Sequence, residues 1–90
     1  MRELSFNPLF KKKLQKIQKT DRKLFNKVKK QLSLFQENPK HVSLKLHKLK
    51  GDLKNMWSVA IDRNYRMLFV DDEMGIYFVD LGTHDEVYKK

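Results

Sequence analysis

Apolar positions along this chain follow two periods, and the change from one to the other divides it. Phe10, Leu14 and Ile17 recur at helical spacing, as do Leu24, Val28, Leu32 and Phe35, with Phe25 widening the second stripe. Lysines at 11, 12, 13, 16 and 19 surround the first stripe. Asn7-Pro8 reads as an N-cap followed by proline at the first helical position, and Thr20-Asp21 offers a second cap. Asn38-Pro39 ends the pattern. Two helices joined so closely predict an antiparallel hairpin. Ahead of them, Arg2 to Phe6 sets Leu4 and Phe6 on one side, as a short strand does.

After Pro39 the period drops to 2. Val42, Leu44 and Leu46 alternate with Ser43, Lys45 and His47 until Gly51 breaks the run. Trp57, Val59 and Ile61 alternate with Ser58, Ala60 and Asp62, the pattern of a half-buried strand. Arg63-Asn64 is a turn. Tyr65–Val70 and Ile76–Leu81 are nearly continuous apolar strands on either side of a turn at Asp71–Gly75, and are expected at the centre of the sheet. The expected fold is α+β: an N-terminal strand, a helical hairpin, then a three-stranded antiparallel meander with the helices packed on one face. Residues 1–90 are read as one domain, without repeat or linker.

Charge sharpens this picture. Residues 1–50 carry fifteen basic and three acidic side chains, a net of +12, whereas residues 51–90 carry five and eight, a net of −3. So lopsided a distribution points to a polyanionic partner, nucleic acid ahead of membrane, although lysine-rich helices are also simply well solvated. The absence of cysteine removes disulfides, thiolate nucleophiles and cysteine-type zinc sites. The opening residues lack the apolar run of a signal peptide and no stretch approaches 18 apolar residues, so a soluble, cytoplasmic protein is expected.

Cleaving RNA without a metal needs a base for the 2′-OH, a cation for the phosphoryl oxygens and an acid for the leaving oxygen. Histidine suits the first and third roles and the planar fork of arginine the second. The chain has His41, His47 and His84, and Arg2, Arg22, Arg63 and Arg66. Arg66 stands out because it interrupts an apolar strand, where it could hold a phosphate or pair with Asp62 or Asp80. His47 lies opposite the Leu44/Leu46 side, and His84 follows the last strand. Lys45, Lys48, Lys50 and Lys54 flank His47 and could contact RNA phosphates or form an ordinary polar strand face. Asp71-Asp72-Glu73 could hold a cation but reads as a solvated turn. No phosphate loop, HExxH or GxSxG occurs.

Leu46-His47-Lys48-Leu49-Lys50-Gly51, Trp57-Ser58, Tyr65-Arg66-Met67-Leu68-Phe69 and Gly82-Thr83-His84-Asp85-Glu86-Val87-Tyr88 together resemble the RelE/ParE superfamily of bacterial toxins, closest to its YafQ and YoeB branches. The resemblance spans the whole chain, and its C-terminal run is the most specific part. It implies a ribosome-dependent mRNA endonuclease of a type II toxin–antitoxin system, with a cognate antitoxin, the ribosome and mRNA as partners and no cofactor. ParE-like relatives of the same fold inhibit gyrase instead, and a decayed toxin kept for antitoxin binding is a third alternative. By motif, His47 takes the general-base position, Arg66 the phosphate-contacting one, His84 that of the general acid, and Tyr88 the terminal aromatic that stacks on or orients the nucleotide. Ser58 and Ala60 stand where RelE has strand lysines; Ala60 and Asn64 stand where YafQ has a second histidine and an aspartate. For His47 to join Arg66 and His84, residues 47–56 must double back across the sheet.

Overall fold

The computed structural model describes residues 3–49, 55–72 and 74–88. The hairpin forms where the apolar spacing and the caps put it. Helix α1 spans Pro8–Thr20 and α2 spans Arg22–Glu37. The Asn7 side chain accepts the Phe10 N–H at 2.8 Å and the Asp21 side chain the Leu24 N–H at 3.1 Å, each satisfying a donor that a first turn leaves unpaired. The Asp21 backbone N–H also closes α1 on the Ile17 carbonyl at 2.8 Å. One residue therefore ends the first helix and starts the second, and the chain reverses with no loop between them.

Among the described residues, five strands form a sheet: β1 (Leu4–Phe6), β2 (His47–Lys48), β3 (Met56–Ala60), β4 (Tyr65–Asp72) and β5 (Gly75–Thr83). Their order is β1-β5-β4-β3-β2. The β3-β4-β5 meander is antiparallel, as the alternation predicts. The sheet as a whole is mixed, because β1 runs parallel to β5 and pairs Leu4 with Ile76 and Phe6 with Phe78. Gly75 makes this pairing possible. Its φ is +144°, and a Cβ there would stand 2.5 Å from the Glu3 carbonyl oxygen.

The alternation over 42–47 does not produce a strand of that length. Val42–Leu44 forms a 3-10 turn, Lys45 follows in a left-handed conformation, and only His47–Lys48 reach the sheet, as its edge. Leu44 is wholly buried, and the buried Gln31 amide of α2 donates to the Ala60 carbonyl at 2.9 Å and reaches the Ser43 carbonyl at 3.5 Å. Tertiary anchoring outweighs the local period here.

The hairpin packs Phe10, Val28 and Phe35 onto Val59, Met67, Phe69, Phe78 and Leu81. Phe6, Phe10, Phe35, Phe69 and Phe78 form the centre of this core, their contacting rings 5.1–5.8 Å apart in offset or edge-on geometries that aromatic pairs favour. Lys13 pairs with Asp80, and Lys27 with Asp62 at 3.2 Å, tying both helices to the sheet. Because strand side chains alternate, Ser58, Ala60, Arg66 and Leu68 look away from the hairpin. Leu68 is buried outside the main core, under a third helix, α3 (His84–Tyr88), which the apolar pattern did not predict and which buries its own Val87. The helices therefore do not all lie on one face. Among the described residues, no helix is long and apolar enough to cross a membrane.

Candidate active site

The second face of the sheet gathers most of the residues singled out by their chemistry. Arg66, half-buried on β4, donates from Nε to Ser58 Oγ at 2.6 Å and from Nη2 to the Lys45 carbonyl at 3.1 Å. Asp62 and Asp80, its two possible ion-pair partners, are taken by Lys27 and Lys13. Among the described residues no carboxylate oxygen lies within 4.0 Å of Arg66. The guanidinium is thus oriented by two neutral acceptors and keeps its full charge, with Nη1 uncommitted among the described residues. The left-handed backbone at Lys45, φ +46°, is uncommon outside glycine and turns the carbonyl that Arg66 meets.

His47 stands directly across from Ser58 in the β2–β3 pairing. Residues opposite one another in an antiparallel pair share a face, so His47 looks toward the same side as Ser58 and Arg66. The chain does double back: the Leu49 N–H donates to the Met56 carbonyl at 2.9 Å, extending the pairing that carries His47 over β3. Lys48 pairs with Trp57 and so alternates to the opposite face, whereas the Lys45 side chain is exposed beside the carbonyl that holds Arg66. Lys50, Gly51 and Lys54 lie outside the described residues.

His84 opens α3 and Tyr88 closes it, four residues apart and hence on one side of the helix. Their rings meet edge-on at 4.3 Å between centroids. The Tyr88 hydroxyl donates to Ser58 Oγ at 2.6 Å, the same oxygen that Arg66 engages. Arg66 pairs with Gly82, two residues before His84, and the His84 N–H donates to the Asn64 carbonyl at 3.3 Å. His41 takes no part: its ring accepts the Ser43 N–H and only caps the 3-10 turn.

Helix α3 is five residues long and depends on its first turn. The Thr83 N–H donates to Glu86 Oε1 at 2.8 Å and the Glu86 N–H donates to Thr83 Oγ1 at 3.3 Å, a reciprocal capping box. A Cβ at position 82 would stand 2.7 Å from that carboxylate oxygen, so glycine gives Glu86 its place. The Thr-x-x-Glu spacing announces this helix start locally, although five residues are too few to show an apolar period. The Thr83 backbone N–H holds the Glu86 carboxyl below its ordinary 4.5, opposed by slight burial and helped by the Thr83 hydroxyl and Lys13. Burial raises the Asp62 carboxyl, but the N–H groups of Asn64 and Tyr65 and the Lys27 ammonium outweigh it and hold it below 3.8. A depressed folded-state value means that the unfolded chain binds the extra proton, so the stability contributed by Glu86 is complete above its ordinary value and lost as the pH falls through the folded one. Thermal melts from pH 7 to 3 should show a steeper loss for wild type than for Glu86→Gln, which keeps a capping acceptor without the charge. Parallel curves would show that Glu86 does not carry this dependence.

A family profile described as a bacterial toxin of type II toxin–antitoxin system, YafQ, matches residues 2–89. The protein of Methanocaldococcus jannaschii named as toxin RelE4 is 35% identical over 92 residues, covering 100% of this chain and 94% of that protein. YafQ from E. coli strain BL21(DE3) superposes with a TM-score of 0.81 at 21% identity, over 98% of this chain and 99% of that one. YafQ in the E. coli DinJ–YafQ complex matches at 0.80 and 20% identity, again over 98% and 99%. At such identities the structures speak for the fold alone, whereas the profile and the archaeal relative speak for descent: this chain belongs to the YafQ family of bacterial toxins of type II toxin–antitoxin systems.

Proposed function

We propose that this toxin is an mRNA endonuclease that acts on ribosome-bound message with side chains alone. The observation that carries the reading is the Arg66 guanidinium, uncompensated by any described carboxylate and held on the sheet face that also bears His47 and meets α3 with its His84 and Tyr88. His47 takes the 2′-OH proton, and the 2′-oxygen attacks the adjacent phosphorus. Arg66 donates to the phosphoryl oxygens as charge gathers there. His84 protonates the departing 5′-oxygen, leaving a 2′,3′-cyclic phosphate and a free 5′-hydroxyl. Tyr88 orients the nucleotide through its ring. Ser58, Ala60 and Asn64 supply no ionisable group, so the charge stabilisation rests on Arg66.

Lysines supply the grip. Lys45 contacts phosphate beside the site and Lys48 does so from the opposite face, Lys50 and Lys54 add their charge to the same stretch of sequence, and the exposed lysines of the hairpin contact ribosomal RNA. Ribosome affinity should therefore fall steeply with salt, by about 10³-fold or more between 50 and 200 mM if six to ten cations meet phosphate. A titration flat over that range would make the lysines a solvated surface only.

A cognate antitoxin completes the system, as the YafQ structure with DinJ supports. Such a partner covers the basic surface and the C-terminal segment in the cytoplasm, and stabilises a small domain by binding only its folded form. The deciding experiment runs cleavage of ribosome-bound message beside a gyrase supercoiling assay. Cleavage with supercoiling untouched is expected. The converse would make the protein a gyrase inhibitor, and neither activity a toxin retained for antitoxin binding.

A further inference from the structure

Ser58 replaces a strand lysine of RelE-like relatives, and by that comparison reads as a loss. Its surroundings say otherwise. The side chain is wholly buried, 0% exposed, and its oxygen accepts two short hydrogen bonds from separate elements, Arg66 Nε of β4 and the Tyr88 hydroxyl of α3, each at 2.6 Å. Arg66 lies 8 residues from it along the chain and Tyr88 30 residues.

We propose that Ser58 is the positioning residue of this site: its hydroxyl joins Arg66 to Tyr88 and so fixes the guanidinium relative to the helix that begins at His84. This rests on the reading of Arg66 and His84 as parts of a ribonuclease site.

The chemistry of the position favours a hydroxyl over the alternatives. A serine oxygen has two lone pairs, enough to accept from a guanidinium and a phenol together. A carboxylate here would accept both bonds but would cancel the Arg66 charge that a phosphate must feel. A lysine would repel the guanidinium and has no lone pair to offer Tyr88 when charged. Alanine would leave a buried cationic N–H without its acceptor. The Lys45 carbonyl, the second neutral acceptor on the fork, acts in the same sense. Two neutral anchors set the guanidinium plane and leave its charge for the ligand. Tyr88 extends the restraint, because its ring meets His84 at 4.3 Å while its hydroxyl is tied to Ser58. The lysine absent from β3 is thus replaced by a residue that adds no charge of its own but aims the charge already present on β4.

The test uses the full-length protein in two independent measurements. In single-turnover cleavage of ribosome-bound message, Ser58→Ala and Tyr88→Phe should each slow the chemical step roughly ten- to a hundredfold, the scale of a hydrogen bond to a charged group, with ribosome affinity unchanged. Tyr88→Phe keeps the ring, so a role confined to stacking predicts no loss. The double variant should be about as slow as Ser58→Ala alone, because both changes break one linkage. In the second measurement, Ser58→Ala should shift the Arg66 Nε–H resonance and speed its exchange with water. Wild-type rates in either variant, losses that simply multiply, or an unmoved Arg66 resonance would overturn the proposal. If the wild-type protein leaves message intact, the ribonuclease reading fails on its own, and the Arg66 resonance still decides whether Ser58 holds the fork. Should Ser58→Ala not fold, the same resonance in Tyr88→Phe decides: a shift supports the shared linkage and none overturns it.

Discussion

Replacing Arg66 by alanine is expected to lower single-turnover cleavage by about 10²–10³-fold, the usual cost of removing a preorganised donor to a developing oxyanion. The fold should survive. Arg66 has no ion-pair partner among the described residues, and its side chain faces away from the aromatic core. The melting temperature should therefore move little while growth inhibition on induction disappears. Lysine at this position should not restore the rate. Arg66 uses Nε and Nη2 on Ser58 and Lys45, at 2.6 and 3.1 Å, and retains another nitrogen for a ligand. One ammonium cannot span that fork and still present a donor outward. A lysine variant that cleaves at the wild-type rate would reduce Arg66 to a point charge and sink the argument from geometry.

The second large effect separates the two histidines. His84→Ala should cost about 10²–10⁴-fold in rate, the range for one general acid or base. The wild-type rate should follow a bell-shaped pH profile, since a base must start deprotonated and an acid protonated. His47→Ala should flatten the acidic limb, which reports the base, and leave the alkaline limb in place; His84→Ala should do the reverse. His47→Glu, the residue YoeB-like toxins carry at this position, should keep part of the activity and move the acidic limb to lower pH. An unchanged profile in His47→Ala would mean that the base lies elsewhere, despite the position of His47 across from Ser58.

Much of this was legible in the residues, and the exceptions share a cause. The hairpin and the meander were readable because each buries one face, and burial writes a period into the chain. Arg66 was conspicuous as a charge within an apolar strand, and His84 and Tyr88 as members of a motif. The parallel seat of β1 was not readable, because three residues carry no information about their neighbour; Gly75, some 70 positions later, creates the room. The segment at 42–47 alternates whether it extends or coils, and the choice falls to buried Leu44 and to Gln31 on another element. The hydrogen bonds of Ser58 were hidden for a related reason. A small polar residue on a strand does not announce its partners, and those partners belong to β4 and α3.

The hairpin lysines and the Arg66 guanidinium look out of opposite sides of the sheet, and that opposition gives the molecule two separate cationic faces. On the proposed reading, electrostatic attraction would draw it in helices first, toward whichever anionic wall is largest. Seated there, it would turn its Arg66 side away from the wall. A flexible strand gripped by the lysines would have to curl round the rim of the sheet to meet the guanidinium, at a cost in its own freedom. Two strands on either flank meet no such obstacle. If both surfaces bind nucleic acid as proposed, only a place where one strand is the wall and another passes in front of it would let them work at once.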